Sequence, residues 1–109
     1  MNMKFNLKEV PEVEYVPGFF GRMIHTDQTT LAYWEIKKGA ALPEHHHIHE
    51  QIVNVFEGQF QMTIGGKEMV FGPGDTFVIE SDVPHSGVAL TECKILDVFT
   101  PAREDYKNK

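Results

Sequence analysis

The chain has 109 residues, enough for one domain with one hydrophobic core. Its hydrophobic fraction of 41% and charged fraction of 24% belong to a folded globular chain rather than a disordered one. A net charge of −6 leaves no basic face for a phosphate backbone, one cysteine permits no internal disulfide, and no apolar run is long enough for a membrane-crossing helix. The first eight residues lack the apolar stretch of a signal peptide. The expectation is therefore a single soluble, cytoplasmic domain over residues 1–109, with neither nucleic acid nor membrane as partner.

Apolar and β-branched residues come in short runs divided by turn residues, with no helical period of useful length. In chain order the predicted strands are Phe19–His25, Thr29–Ile36, Gln51–Phe56, Gln59–Ile64, Glu68–Phe71, Thr76–Ile79, Ser86–Leu90 and Lys94–Phe99. Pro17-Gly18, Lys38-Gly39, Glu57-Gly58, Gly65-Gly66 and Gly72-Pro73-Gly74-Asp75 separate them. Many short strands at even spacing read as an all-β sandwich or barrel of six to eight antiparallel strands. Gly65-Gly66 marks a tight hairpin, because a primed turn needs the positive φ that glycine adopts cheaply. The last ten residues read as a short helical or extended tail. Ile52 and Phe56 oppose Val53 and Val55 in parity, so this strand is apolar on both faces. That is one face more than a single core needs, and a homodimer is expected. Residues Glu12–Val16 have no evident partner strand and are expected to cross to the neighbour.

Four of the six histidines fall within five positions, in Glu44-His45-His46-His47-Ile48-His49-Glu50-Gln51. In an extended chain, alternate side chains share a face. His45, His47, His49 and Gln51 then point one way, and His46 and Glu50 the other. Two imidazoles on one face can chelate a divalent ion, and His85, which follows Pro84, is the obvious distant donor. Ile95, Asp97 and Phe99 likewise share a face near the C-terminus. An isolated carboxylate between two apolar residues is costly in a dry core. Asp97 therefore lies either on the solvent side or on the wall of a polar cavity, and alternation alone does not choose.

Gly39-x5-His45-x-His47-x3-Gln51-x6-Gly58 resembles the first cupin motif, which usually has Glu where this chain has Gln51. Gly72-Pro73-Gly74-Asp75 with Pro84-His85 resembles the second. The resemblance implies an antiparallel jelly-roll barrel, the double-stranded β-helix of the cupins. It also implies one divalent transition metal (nickel, zinc, iron or manganese) held by His45, His47, Gln51 and His85. His49 is an alternative to Gln51 as ligand. A neutral amide in place of a carboxylate would leave the ion's full positive charge to polarise substrate oxygens.

The C-terminal pattern Asp97-x-Phe99-x-Pro101-x-Arg103-x-Asp105-Tyr106 is similar to the end of KdgF-type cupins, small proteins of bacterial pectin and alginate breakdown. So is the first motif, and the likeness runs from about Gly39 to Tyr106. It implies conversion of 4,5-unsaturated monouronates to the linear keto form. Asp97, Phe99 and Arg103 would serve the catalytic site, and the partner would be a small anionic sugar. Read without the resemblance, Arg103 is a surface ion pair with Glu104 or Asp105, and Phe99 is ordinary packing. Two other readings stay open on the same barrel: a different metal enzyme such as an oxygenase, and a module that binds a sugar without transforming it.

Overall fold

A computed structural model describes residues 2–107. It contains ten strands: β1 Val13–Val16, β2 Phe19–His25, β3 Thr30–Ile36, β4 Ala41–His45, β5 Glu50–Glu57, β6 Phe60–Ile64, β7 Lys67–Phe71, β8 Thr76–Ile79, β9 His85–Ala89 and β10 Cys93–Thr100. A 3₁₀ turn at Leu7–Glu9 precedes them, and a one-turn helix α1, Glu104–Lys107, follows. Of the tail expected over 100–109, the helical alternative is the one adopted, and its last two residues lie outside the described residues.

Six strands form one sheet in the order β1-β2-β3-β10-β5-β8, and four form the other in the order β4-β9-β6-β7. Every pairing is antiparallel. The two sheets face each other across one core, the jelly-roll expected. The count exceeds the expected six to eight because two segments the sequence reading left out are strands. Ala41–His45 is one, with Pro43 in a strand at the edge of the four-stranded sheet, where a missing N–H costs no ladder bond. Val13–Val16 does not await a neighbouring molecule: it pairs with β2 of its own chain, Val13 opposite Gly21 and Glu14 opposite Phe20.

Alternation sets which side chains fill the core. β10 buries Cys93, Ile95, Asp97 and Phe99; β3 buries Thr30, Ala32, Trp34 and Ile36; β5 buries Gln51, Val53 and Val55. Removing an aliphatic side chain of this kind from water is worth about 1.5–3 kcal/mol. The β6–β7 turn is the predicted one: Gly65 and Gly66 both have positive φ, and Ile64 pairs with Lys67 across it. Gly58, the last glycine of the first motif, has φ +89°, and a Cβ there would overlap the Glu92 carbonyl. Any side chain at this position must therefore break the β5–β6 connection.

Register decides where the polar core residues gather. His25, Thr30, Phe99, Gln51 and Ile79 form one row across β2, β3, β10, β5 and β8. His45, His85 and Ile64 form a row across the other sheet. Both rows lie at the same end of the barrel. The adjacent row on the outer face of the large sheet is Ile24, Leu31, Val98, Ile52 and Val78, entirely aliphatic.

Candidate metal centre and active site

The buried polar and charged residues are Thr30, Gln51, His85, Asp97 and Arg103. A core tolerates such groups only when each has a partner or a role, so their convergence at one end of the barrel marks a site. There Gln51, His85, Asp97 and Arg103 line a cavity of about 50 Å³ together with His45, Trp34 and Tyr106. At roughly 10–15 Å³ for each water position, that is room for about four water molecules.

The histidine segment is not the single extended strand that parity assumed. β4 ends at His45 and β5 begins at Glu50, so residues 46–49 are the loop that carries the chain from one sheet to the other. Alternation of exposure nonetheless survives through the loop: His45 and His47 turn inward, while His46 faces solvent beside Asp82. His45, His47 and His85 offer ring nitrogens that all lie within 4.8 Å of one another. His49 does not join them; it packs its ring against His47 and Phe99 instead.

The hydrogen bonds prepare these three imidazoles for a cation. His45 Nδ1 donates to the Pro43 carbonyl at 3.0 Å, His47 Nδ1 to the His49 carbonyl at 3.1 Å, and His85 Nδ1 to the Val83 carbonyl at 2.8 Å. A carbonyl oxygen can only accept, so each ring carries its proton on Nδ1 and presents a lone pair on Nε2. His85 Nε2 is buried with no hydrogen-bond partner. His47 Nε2 lies 3.1 Å from Gln51 Oε1. Two acceptors at that distance repel unless something positive lies between them, which a cation held by both would supply. Burial, with Arg103 and His85 nearby, lowers the His47 pKa to about 4, and burial also lowers that of His85. Neutral imidazole is the form a metal requires. The donor set therefore fits one divalent transition ion.

Asp97 stands on the cavity wall, not on the solvent side. Its Oδ2 accepts from Trp34 Nε1 at 3.0 Å, and its Oδ1 is buried without a well-formed hydrogen bond. Burial outweighs the help of Gln51, Trp34 and Arg103, and pushes its pKa up to about 7. Among the described residues lining the cavity it is the only carboxylate.

Arg103 is 7% exposed, so it is not a surface residue, although it does make the ion pair expected from a surface reading. Nε and one Nη donate to the two oxygens of Asp105 at 3.0 and 2.8 Å. The guanidinium is stacked between Phe99, 4.7 Å from its centroid, and Tyr106, at 4.0 Å. The side edge of the fork is thus occupied by Asp105, Tyr106 is a further side-chain partner, and the guanidinium lines the cavity. Phe99 is 2% exposed and touches both Arg103 and the rings of His47 and His49.

Sequence reasoning assigned no role to Trp34, Thr30 or Tyr106. Trp34 binds Asp97, Tyr106 covers Arg103, and Thr30 binds the Arg103 backbone. The alternation of β3 signals that Thr30 and Trp34 share the core face, but nothing in it names their partners.

Comparison with known proteins agrees with this geometry. Residues 32–99 match the Cupin domain model. The pectin degradation protein KdgF of Dickeya dadantii (strain 3937) is 32% identical over 101 residues, which cover 90% of this chain and 92% of that protein. Among solved structures, KdgF from Halomonas sp. superposes with a TM-score of 0.91 at 28% identity, covering 97% of this chain and 99% of its own. An RmlC-like cupin from Shewanella frigidimarina NCIMB 400 superposes with a TM-score of 0.89, also at 28% identity, covering 97% and 96%. The chain belongs to the cupin family and stands within it among the KdgF proteins.

Proposed function

We propose that the protein acts in pectin or alginate breakdown as a metal-dependent isomerase. Its reaction would convert a 4,5-unsaturated monouronate to the linear keto form. The observation that carries this reading is the placement of Asp97. A carboxyl group whose pKa is raised to about 7 shares one small cavity with a buried arginine and with His45 and His85, two members of the three-histidine cluster.

The reaction balances as an isomerisation. The hydroxyl proton on C1 leaves, the C1–ring-oxygen bond breaks to give an aldehyde, and the ring oxygen remains on C5 as an enol. The enol then loses its oxygen-bound proton and gains one at C4, leaving a ketone at C5. A divalent ion held by His45, His47, Gln51 and His85 would supply a Lewis acid for two substrate oxygens. Arg103 holds the substrate carboxylate in a two-pronged contact lysine cannot make. Phe99 walls the cavity against bulk water. Asp97 moves the proton from oxygen to C4 through Oδ1, while Trp34 holds Oδ2. A pKa near 7 makes both its acid and base forms available near neutrality.

The test is the absorbance of the conjugated C4=C5 bond in lyase-generated monouronates. Metal-loaded protein should speed its loss. No acceleration with nickel, zinc, iron or manganese would defeat the proposal, and oxygen uptake instead would favour an oxygenase.

A further inference from the structure

The position of Arg103 depends on a contact far from it in sequence. β10 ends at Thr100, and the chain then leaves the sheet before α1 begins at Glu104. Residues 101–103 have no strand partner, yet Ala102 and Arg103 are buried. A buried backbone N–H away from the ladder needs an acceptor. For Arg103 that acceptor is the hydroxyl of Thr30, at 2.8 Å, from the first residue of β3. Thr30 is itself fully buried. The same hydroxyl oxygen lies 2.8 Å from His25 Nδ1, so it joins the Arg103 N–H and the His25 ring in one hydrogen-bonded set. The remaining backbone contact of Arg103 is local, from the Tyr106 N–H to its carbonyl at 3.1 Å. Its side chain is held by Asp105, Phe99 and Tyr106, residues that come with β10 and α1. The Thr30 hydroxyl thus makes the hydrogen bond that ties the Arg103 backbone to β3, beside a contact of the His49 side chain with the Ala102 backbone.

We infer that Thr30 is a positioning residue for Arg103, and that its hydroxyl sets how well the cavity binds a carboxylate. The binding half rests on the reading of Arg103 as the group that holds the substrate carboxylate. Serine at this position keeps the tie. Valine keeps the shape but leaves the Arg103 N–H and His25 Nδ1 without a partner. The segment then shifts to find water, and the arginine fork moves with it. The three clustered histidines, His85 buried and His45 and His47 half-buried, lie on other elements, so metal binding should be unchanged. Losing one such hydrogen bond at a ligand-positioning group corresponds to about a five- to tenfold loss in affinity.

The experiment uses zinc-loaded full-length protein as wild type, Thr30→Val and Thr30→Ser. It follows the Arg103 amide exchange rate, the Arg103 side-chain Nε–H resonance, zinc stoichiometry and affinity for galacturonate, a saturated monouronate that cannot react. In the wild type the Arg103 amide should exchange as slowly as those of β10. Thr30→Val should lose that protection, move the Nε–H resonance and bind galacturonate about five- to tenfold more weakly with zinc unchanged. Thr30→Ser should behave as wild type. A fast-exchanging Arg103 amide in the wild type overturns the inference, and that measurement does not depend on any variant folding. So does a Thr30→Val protein with unchanged Nε–H resonance and affinity, or a Thr30→Ser protein as impaired as the valine variant. A wild type that binds no galacturonate while its Arg103 amide is protected refutes the carboxylate reading and leaves the tie itself established.

Discussion

Replacing Asp97 by asparagine should make the metal-free protein more stable and the enzyme much slower, and the size of the first effect should depend on pH. The carboxyl pKa is raised from its usual 3.8 to about 7, with burial the main cause. In the unfolded chain the group ionises near its usual value, so folding must keep it protonated where water would let it ionise. The penalty is absent below pH 4, grows between pH 4 and 7, and is complete above 7. At about 1.4 kcal/mol per pH unit, the interval from 3.8 to about 7 corresponds to about 4 kcal/mol. Asparagine has the same size, can still accept from Trp34 Nε1, and never ionises. Urea unfolding of chelator-treated wild type and Asp97→Asn should give similar stabilities at pH 4, with the variant ahead by up to about 4 kcal/mol at pH 8. An added divalent ion would draw the carboxyl pKa down and shrink the gap. In the absorbance assay the same variant should lose about 100- to 10,000-fold in rate, the usual share of general acid–base catalysis. A stability difference that does not grow between pH 4 and 8 would refute the account of Asp97 as a carboxyl held neutral by burial. An unchanged rate would make it structural rather than catalytic.

His85→Ala removes a buried ring whose Nε2 has no other partner, and metal analysis after dialysis should show a loss of affinity well beyond the 10- to 100-fold typical of outer contacts. Arg103→Lys keeps the charge but not the fork; steady-state kinetics should show a raised KM with a less affected kcat. The outer face of the large sheet, with the aliphatic row Ile24, Leu31, Val98, Ile52 and Val78 and, farther along β5, exposed Phe56, is the face we propose for a two-fold homodimer. Light scattering at micromolar concentration should give twice the 12.4 kDa chain mass, and Phe56→Glu should halve it; a monomeric wild type rules the dimer out.

Much of this molecule is legible from local sequence, because strand alternation and turn chemistry are local. The paired positive φ of Gly65 and Gly66 follows from turn chemistry, and the shared face of Ile95, Asp97 and Phe99 and the opposite parity of His46 follow from a period of two. The parity rule even named His45 and His47 correctly as neighbours, although the segment between them is a loop and not a strand. What local rules could not supply is register between distant segments. Only the pairing of β4 with β9 sets His45 opposite His85, and only the crossing loop separates His49 from Gln51. The state of Asp97 is likewise tertiary. Its pKa depends on burial contributed by both sheets and on Trp34, which lies 63 residues away in the chain. Arg103 illustrates the division most clearly. The sequence by itself limits its ion pair to Glu104 or Asp105, because that contact is short-range, and the structure selects Asp105. Whether the pair stands in water or over a buried cavity is decided by Thr30, Phe99 and Tyr106 closing around it, and burial is a property of the packed chain as a whole.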